Sequence, residues 1–166
     1  ALYRVMPDRP LGFAPQMAVA LFAGSIFKQK KYAFALPLLS MLISDVLYQA
    51  LYTAGLTDIK GFYSGQWLNY ILFVSLTVVG FFVQQRNPLQ IAAGAVAAPT
   101  LFFLTSNFAV WLGGGGFGRA KTLEGLMQTY MDGVPFYANS IWATALFAAI
   151  FFGFYAVASG KKAVAH

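Results

Sequence analysis

Stretches of uncharged, mostly apolar residues recur along this chain and are separated by short clusters of charge. The first runs from Leu11 to Phe27, with Gly12, Pro15 and Gln16 making its start irregular. The second spans about Tyr32 to Tyr52 and carries a single charge, Asp45. The third covers about Trp67 to Val83, and the fourth about Leu89 to Trp111, where Pro99 predicts a kink. The fifth starts at Pro135, a good first-turn residue, and ends near Ala158. A helix crosses a hydrocarbon core of about 30 Å in about 20 residues, so each stretch predicts one membrane span or nearly one. Between the fourth and fifth, residues 112–134 predict an outer loop: a flexible Gly113 to Gly118 segment, then a short amphipathic helix over about Thr122 to Met131. The expected fold is a single transmembrane domain over 1–166, an all-α polytopic bundle of about five spans.

Composition agrees with this picture. Of the 166 residues, 59% are hydrophobic and 10% charged, so most of the surface must face something other than water. The net charge of +6 is unevenly placed. Lys28, Lys30, Lys31, Arg86, Lys161 and Lys162 stand in clusters without an acid, whereas Arg4, Arg9, Lys60, Arg119 and Lys121 are balanced by Asp8, Asp45, Asp58, Glu124 and Asp132. With the purely basic clusters cytoplasmic, the sides alternate without violation and the C-terminus is inside. The odd count predicts a sixth span upstream of Ala1. The excess charge is thereby explained by topology and lipid headgroups, and no basic stripe interleaved with aromatics points to nucleic acid.

Small residues recur at helix-packing spacing: Ala20/Gly24, Ala93/Ala97 and Ala145/Ala149/Gly153. Such pairs let helices approach closely in lipid. Two readings stand, packing within the bundle or docking of a protein partner, and Ala20, Gly24, Ala145, Ala149 and Gly153 are the candidates for the second.

Candidate chemistry gathers in the half opposite the basic clusters. At 1.5 Å per residue, Asp45 lies roughly 18 Å into the second span, and Gln49 follows on the same helix face. Asn107 and Trp111 stand near the outer end of the fourth span, and Asn69 and Asn139 near the outer starts of the third and fifth. Trp142 follows Asn139, and Gln66, Trp67 and Tyr70 flank Asn69. Polar side chains in a bilayer are costly and normally face the bundle interior or a water-filled cavity. Asp45, Gln49, Asn69, Asn107, Trp111, Asn139 and Trp142 are therefore the candidate ligand-binding set. The alternative is an interfacial belt of tryptophans with amides that tie helices together. No intramembrane Lys, Arg or His stands ready to pair with Asp45, which predicts protonation, hydration or a cationic ligand there. Tyr130, Asp132 and Tyr137, beside the glycine-rich segment, are placed to close over the same region.

Other chemistries find little support. Gly113 to Gly118 matches G-x-G-x-x-G, but it follows a membrane span rather than a strand. Cysteine is absent, the one histidine is the terminal His166, and no base, nucleophile or metal-ligand set of a known enzyme class stands together. No enzyme, metal or cofactor is expected, although a carotenoid, a lipid or another small molecule fits the aromatic content of 17%.

The stretch Phe13-Ala-Pro-Gln-Met-Ala-Val-Ala-Leu-Phe-Ala-Gly24, the segment Pro37-Leu-Leu to Ser44-Asp45, Asn107-Phe-Ala-Val-Trp111, and Gly125-Leu to Pro135-Phe-Tyr-Ala-Asn139 resemble an uncharacterised family of small bacterial polytopic membrane proteins. That family is similar to the substrate-binding S components of energy-coupling-factor vitamin transporters, whose solitary cobalamin-type members employ a cysteine that this chain lacks. The resemblance implies a six-helix bundle of the bacterial cytoplasmic membrane. It would capture a small molecule from the outer side, and small residues of its first helix would meet a partner. The leading expectation is thus solute capture for uptake. The runner-up is an accessory subunit of a larger respiratory or photosynthetic membrane complex.

Overall fold

Pro10, Gly12 and Pro15 keep the start of the first apolar stretch irregular, and its helix, α1, is confined to Gln16–Ile26. Proline lacks the amide hydrogen that a helix interior uses, and Gly12 takes the left-handed φ of 82°. The computed structural model describes residues 1–6 and 9–163, with side chains described to residue 159. A 3-10 turn at Leu2–Val5 precedes α1; α2 (Lys30–Thr53), α3 (Gln66–Ser75), α4 (Thr77–Phe81), α5 (Pro88–Gly113) and α6 (Leu123–Ala163) follow. The fold of the described residues is an all-α bundle. Asp8 and His166 lie outside them, as do the side chains of Lys161 and Lys162.

The five stretches are not five equal spans. Three helices, α2, α5 and α6, are long and apolar enough to cross a membrane, whereas α1 at 11 residues rises only about 16 Å. It compensates by position, touching all five other α-helices and burying Met17, Ala18, Ala20, Leu21 and Ala23. The third stretch is broken at Leu76, whose amide donates to Phe73 O at 3.2 Å while its carbonyl accepts from Val79 N at 3.0 Å. These i→i−3 bonds tighten the turn between α3 and α4.

The expected amphipathic helix and fifth span are one continuous helix of 41 residues, α6, with Pro135 in its interior rather than at its start. A single proline removes one helical hydrogen bond, and the packing of α6 on α5 and α1 carries the helix through despite it. The Asn87 side chain caps α5 by accepting from Leu89 N at 3.1 Å and Gln90 N at 3.2 Å, with Pro88 opening the first turn.

Lys30 lies over the Phe81 ring at 5.6 Å and Arg86 donates to Ser159 Oγ at 3.4 Å, so Lys28 to Lys31 and Arg86 share one end of the bundle. On α2, Leu38, Leu39, Leu42, Ile43 and Val46 point outward and are exposed. Such a large apolar exterior on long apolar helices makes this an integral membrane protein.

Candidate solute-binding cavity

In the half of the bundle opposite Lys30 and Arg86, a cavity of about 350 Å³ opens above the N-terminus of α1. The irregular arm that leads into α1 supplies one wall through Arg9, Gly12 and Ala14, and the 3-10 turn adds Arg4. Helix α5 contributes Pro99, Phe102, Phe103, Ser106 and Asn107; α6 contributes Gly133, Phe136, Tyr137 and Ser140. Phe73 of α3 packs on Phe102 with ring centroids 4.4 Å apart, and Phe103 stacks on Tyr137 at 4.6 Å. The body of the cavity is thus aromatic.

Its polar fittings are few and specific. Gln16, the first residue of α1, is 3% exposed, and neither its amide nitrogen nor its amide oxygen has a hydrogen-bond partner. Leaving such groups unsatisfied costs about 1–3 kcal/mol each. Arg9 donates to Phe13 O at 3.0 Å, yet its buried Nε is also without a partner. No side chain caps α1, because Pro15 precedes it, so its free amides face the same space and favour negative charge. Asn107 Nδ2 donates to its own helix at Phe103 O at 2.8 Å, and Tyr137 shares a hydrogen bond of 2.9 Å with Thr100.

The arm is tied down at both ends. Asn139 Nδ2 donates to Leu11 O at 2.9 Å and Ser140 Oγ to Gly12 O at 3.1 Å. A Cβ on Gly12 would stand 2.6 Å from Phe136 O, so only glycine lets the arm press against α6 there. At the other end Arg4 forms an ion pair with Asp45 and donates to Ser44 Oγ at 2.7 Å. Its carbonyl accepts from Tyr48 Oη at 2.5 Å.

Asp45 therefore has a basic partner after all, from outside the spans. The carboxylate is 1% exposed and also accepts from Gln66 Nε2 at 2.6 Å and Tyr70 Oη at 2.5 Å. Gln66 is fixed in turn by donating to Gly61 O at 2.9 Å. A Cβ on Gly61 would meet Asp45 O at 2.0 Å, which shows how tightly the loop after α2 lies on that helix. A buried carboxylate needs this degree of pairing. The arrangement leaves Asp45 closed off, while Arg4 reaches both the carboxylate and the cavity.

Of the seven residues singled out as ligand-binding, Asn107 alone lines the cavity. Gln49 accepts from Phe62 N at 3.4 Å in the loop, and Asn69 donates to Tyr63 Oη at 2.5 Å on the surface. Trp111 Nε1 donates to Ala120 O at 2.8 Å and so pins the glycine-rich loop. Asn139 holds the arm rather than the cavity, and Trp142 is 71% exposed. Arg119 forms a two-pronged pair with Asp132 at 2.9 and 3.0 Å, which holds its pKa above the ordinary value. Tyr130 donates to Leu104 O at 3.0 Å, and Tyr137 lines the cavity.

Residues 1–166 match the model of a family described as "Family of unknown function (DUF6580)". The chain belongs to that family. No curated protein and no solved structure matches it.

The small-residue pairs divide between two environments. Ala20 is fully buried, and a Cβ on Gly24 would lie 2.2 Å from Thr77 O, so this pair packs α1 on α4 inside the bundle and presents nothing to a partner. Ala145, Ala149 and Gly153 instead line an open apolar groove between α5 and α6 of about 610 Å³, with Trp142 at one end and Arg86 at the other. Ala93 and Ala97 line a shallower recess beside Val78 and Phe82.

Proposed function

We propose that this protein binds a small solute in the cavity above α1, captured from the outer face of a bacterial cytoplasmic membrane for uptake, in the manner of a transporter's substrate-binding component. The observation that carries this reading is Gln16: two unpartnered amide atoms, buried at the head of an aromatic-lined cavity, are a standing cost that a bound solute removes. Sidedness follows from the basic end formed by Lys28, Lys30, Lys31 and Arg86, which favours the cytoplasm and turns the cavity outward. Among the described residues the lining offers donors and aromatic rings but no His, Asp or Glu as a general base, which favours binding over catalysis.

The test is purification from native membranes followed by mass spectrometry of released small molecules. The wild-type protein should carry a compound that the Gln16→Leu variant, folded to the same degree, does not. A wild-type protein that is empty, and that no solute stabilises, would sink the proposal.

The α5–α6 groove favours a second reading, an accessory subunit of a larger membrane complex. Its exposed small residues suit close approach of a partner helix or a carotenoid, and a Cβ on Gly153 would meet nothing within 4 Å. Recovery only within a stoichiometric assembly, with Ala149→Leu breaking that assembly, is the outcome that supports it.

A further inference from the structure

The chemistry at the head of the cavity narrows what it takes, on the reading that the cavity is a solute site. Three features converge there. The guanidinium of Arg9 has a buried Nε with no partner, and among the described residues no carboxylate meets it. The uncapped N-terminus of α1 directs its amides and its dipole at the same place. Gln16, only 3% exposed, offers both a donor and an acceptor without partners.

We infer that the solute is a monocarboxylate with an aromatic or apolar body and a hydroxyl or N–H donor close to the carboxylate. The carboxylate accepts from Arg9, from the Gln16 amide nitrogen and from the α1 terminus, while the neighbouring donor satisfies the Gln16 amide oxygen. Charge decides the class. Arg4 is already matched by Asp45, so the described lining has one cation left to answer. A phosphomonoester brings about −1.5 to −2 and leaves charge uncompensated against Phe73, Phe102 and Phe103; a cation would meet the unmatched guanidinium of Arg9. The rings then take the apolar body, and Ser106 and Asn107 stand at the far wall.

Three probes test this on the full chain in detergent, by calorimetry: 2-hydroxy-3-phenylpropanoate, its neutral primary amide, and 3-phenylpropanoate without the hydroxyl. The hydroxy acid should bind best, the amide at least tenfold more weakly, and the deoxy acid several-fold more weakly. Arg9→Gln should erase the preference of acid over amide, and Gln16→Leu the preference for the hydroxyl. The wild-type comparison of acid and amide stands even where a variant fails to fold. Equal binding of acid and amide overturns the carboxylate class and leaves solute binding intact, as does a neutral or cationic compound released from the native protein. If no probe binds, a released carboxylic acid still supports the class, whereas an empty native protein overturns both readings.

Discussion

Gly24 of α1 and Gly80 of α4 cross so closely that a Cβ built on Gly24 would stand 2.8 Å from the Gly80 Cα, and one on Gly80 2.9 Å from the Gly24 Cα. The contact sits where α4 follows the break at Leu76, and it brings α1 into the centre of the bundle. Gly153 on α6 is the opposite case, open on its outer side.

Gly24→Ala should therefore destabilise the protein by about 1–3 kcal/mol, the range for overpacking a tight contact. Gly153→Ala should stabilise it by about 0.5–1 kcal/mol, because alanine is the better helix former where nothing obstructs it. Unfolding of the two variants in the same detergent, followed by circular dichroism, should move in opposite directions from wild type.

Gln16→Leu should raise the stability of the empty protein by about 2 kcal/mol or more, since it removes two buried polar atoms that make no hydrogen bond. The same change should weaken solute binding. Melting curves with and without solute separate the two effects, and a loss of stability in the empty variant would mean that Gln16 is paired in the native membrane.

Asp45→Ala should cost about 3 kcal/mol, near the lower limit for breaking a buried ion pair, because Arg4 keeps 23% of its side chain exposed. Arg4→Ala should cost at least as much, since it leaves the more deeply buried carboxylate with only the neutral donors of Gln66 and Tyr70. The double variant should lose less than the two single changes together, and simple additivity in equilibrium unfolding would show that the pair is not coupled.

Ser140→Ala should loosen the arm at a cost of about 1 kcal/mol, with only a small change in global unfolding. Amide hydrogen exchange should quicken over residues 9–15 while α5 stays protected; uniform quickening throughout the bundle would contradict a local role.

How much was legible in the sequence differs between fold and cavity. The apolar stretches identified the helices, because period and length are local properties. Their lengths were not local. Whether Pro135 opens a helix or sits inside one, and whether Trp67 to Val83 bends at Leu76, depends on what packs alongside. The cavity was less legible still. Asp45 stood out as a lone acid, but its partner Arg4 is 41 positions away and belongs to a segment that no periodicity marks. Gln16 looked like an irregularity at the head of a span, although a glutamine opening an otherwise apolar stretch was the one signal that could have pointed to the cavity. Asn69, Asn139 and Trp111 share a depth with Asn107 and face other ways, because depth along a helix does not fix the direction around it.

The grip of Asn139 and Ser140 on Leu11 and Gly12 joins positions 128 residues apart. It follows that the cavity has no existence while the chain is still being made. Until α6 has been made and has packed into the bundle, Leu11 and Gly12 lack the side chains that hold them and the cavity lacks a wall, so an early stretch of the sequence is seated only by a late one.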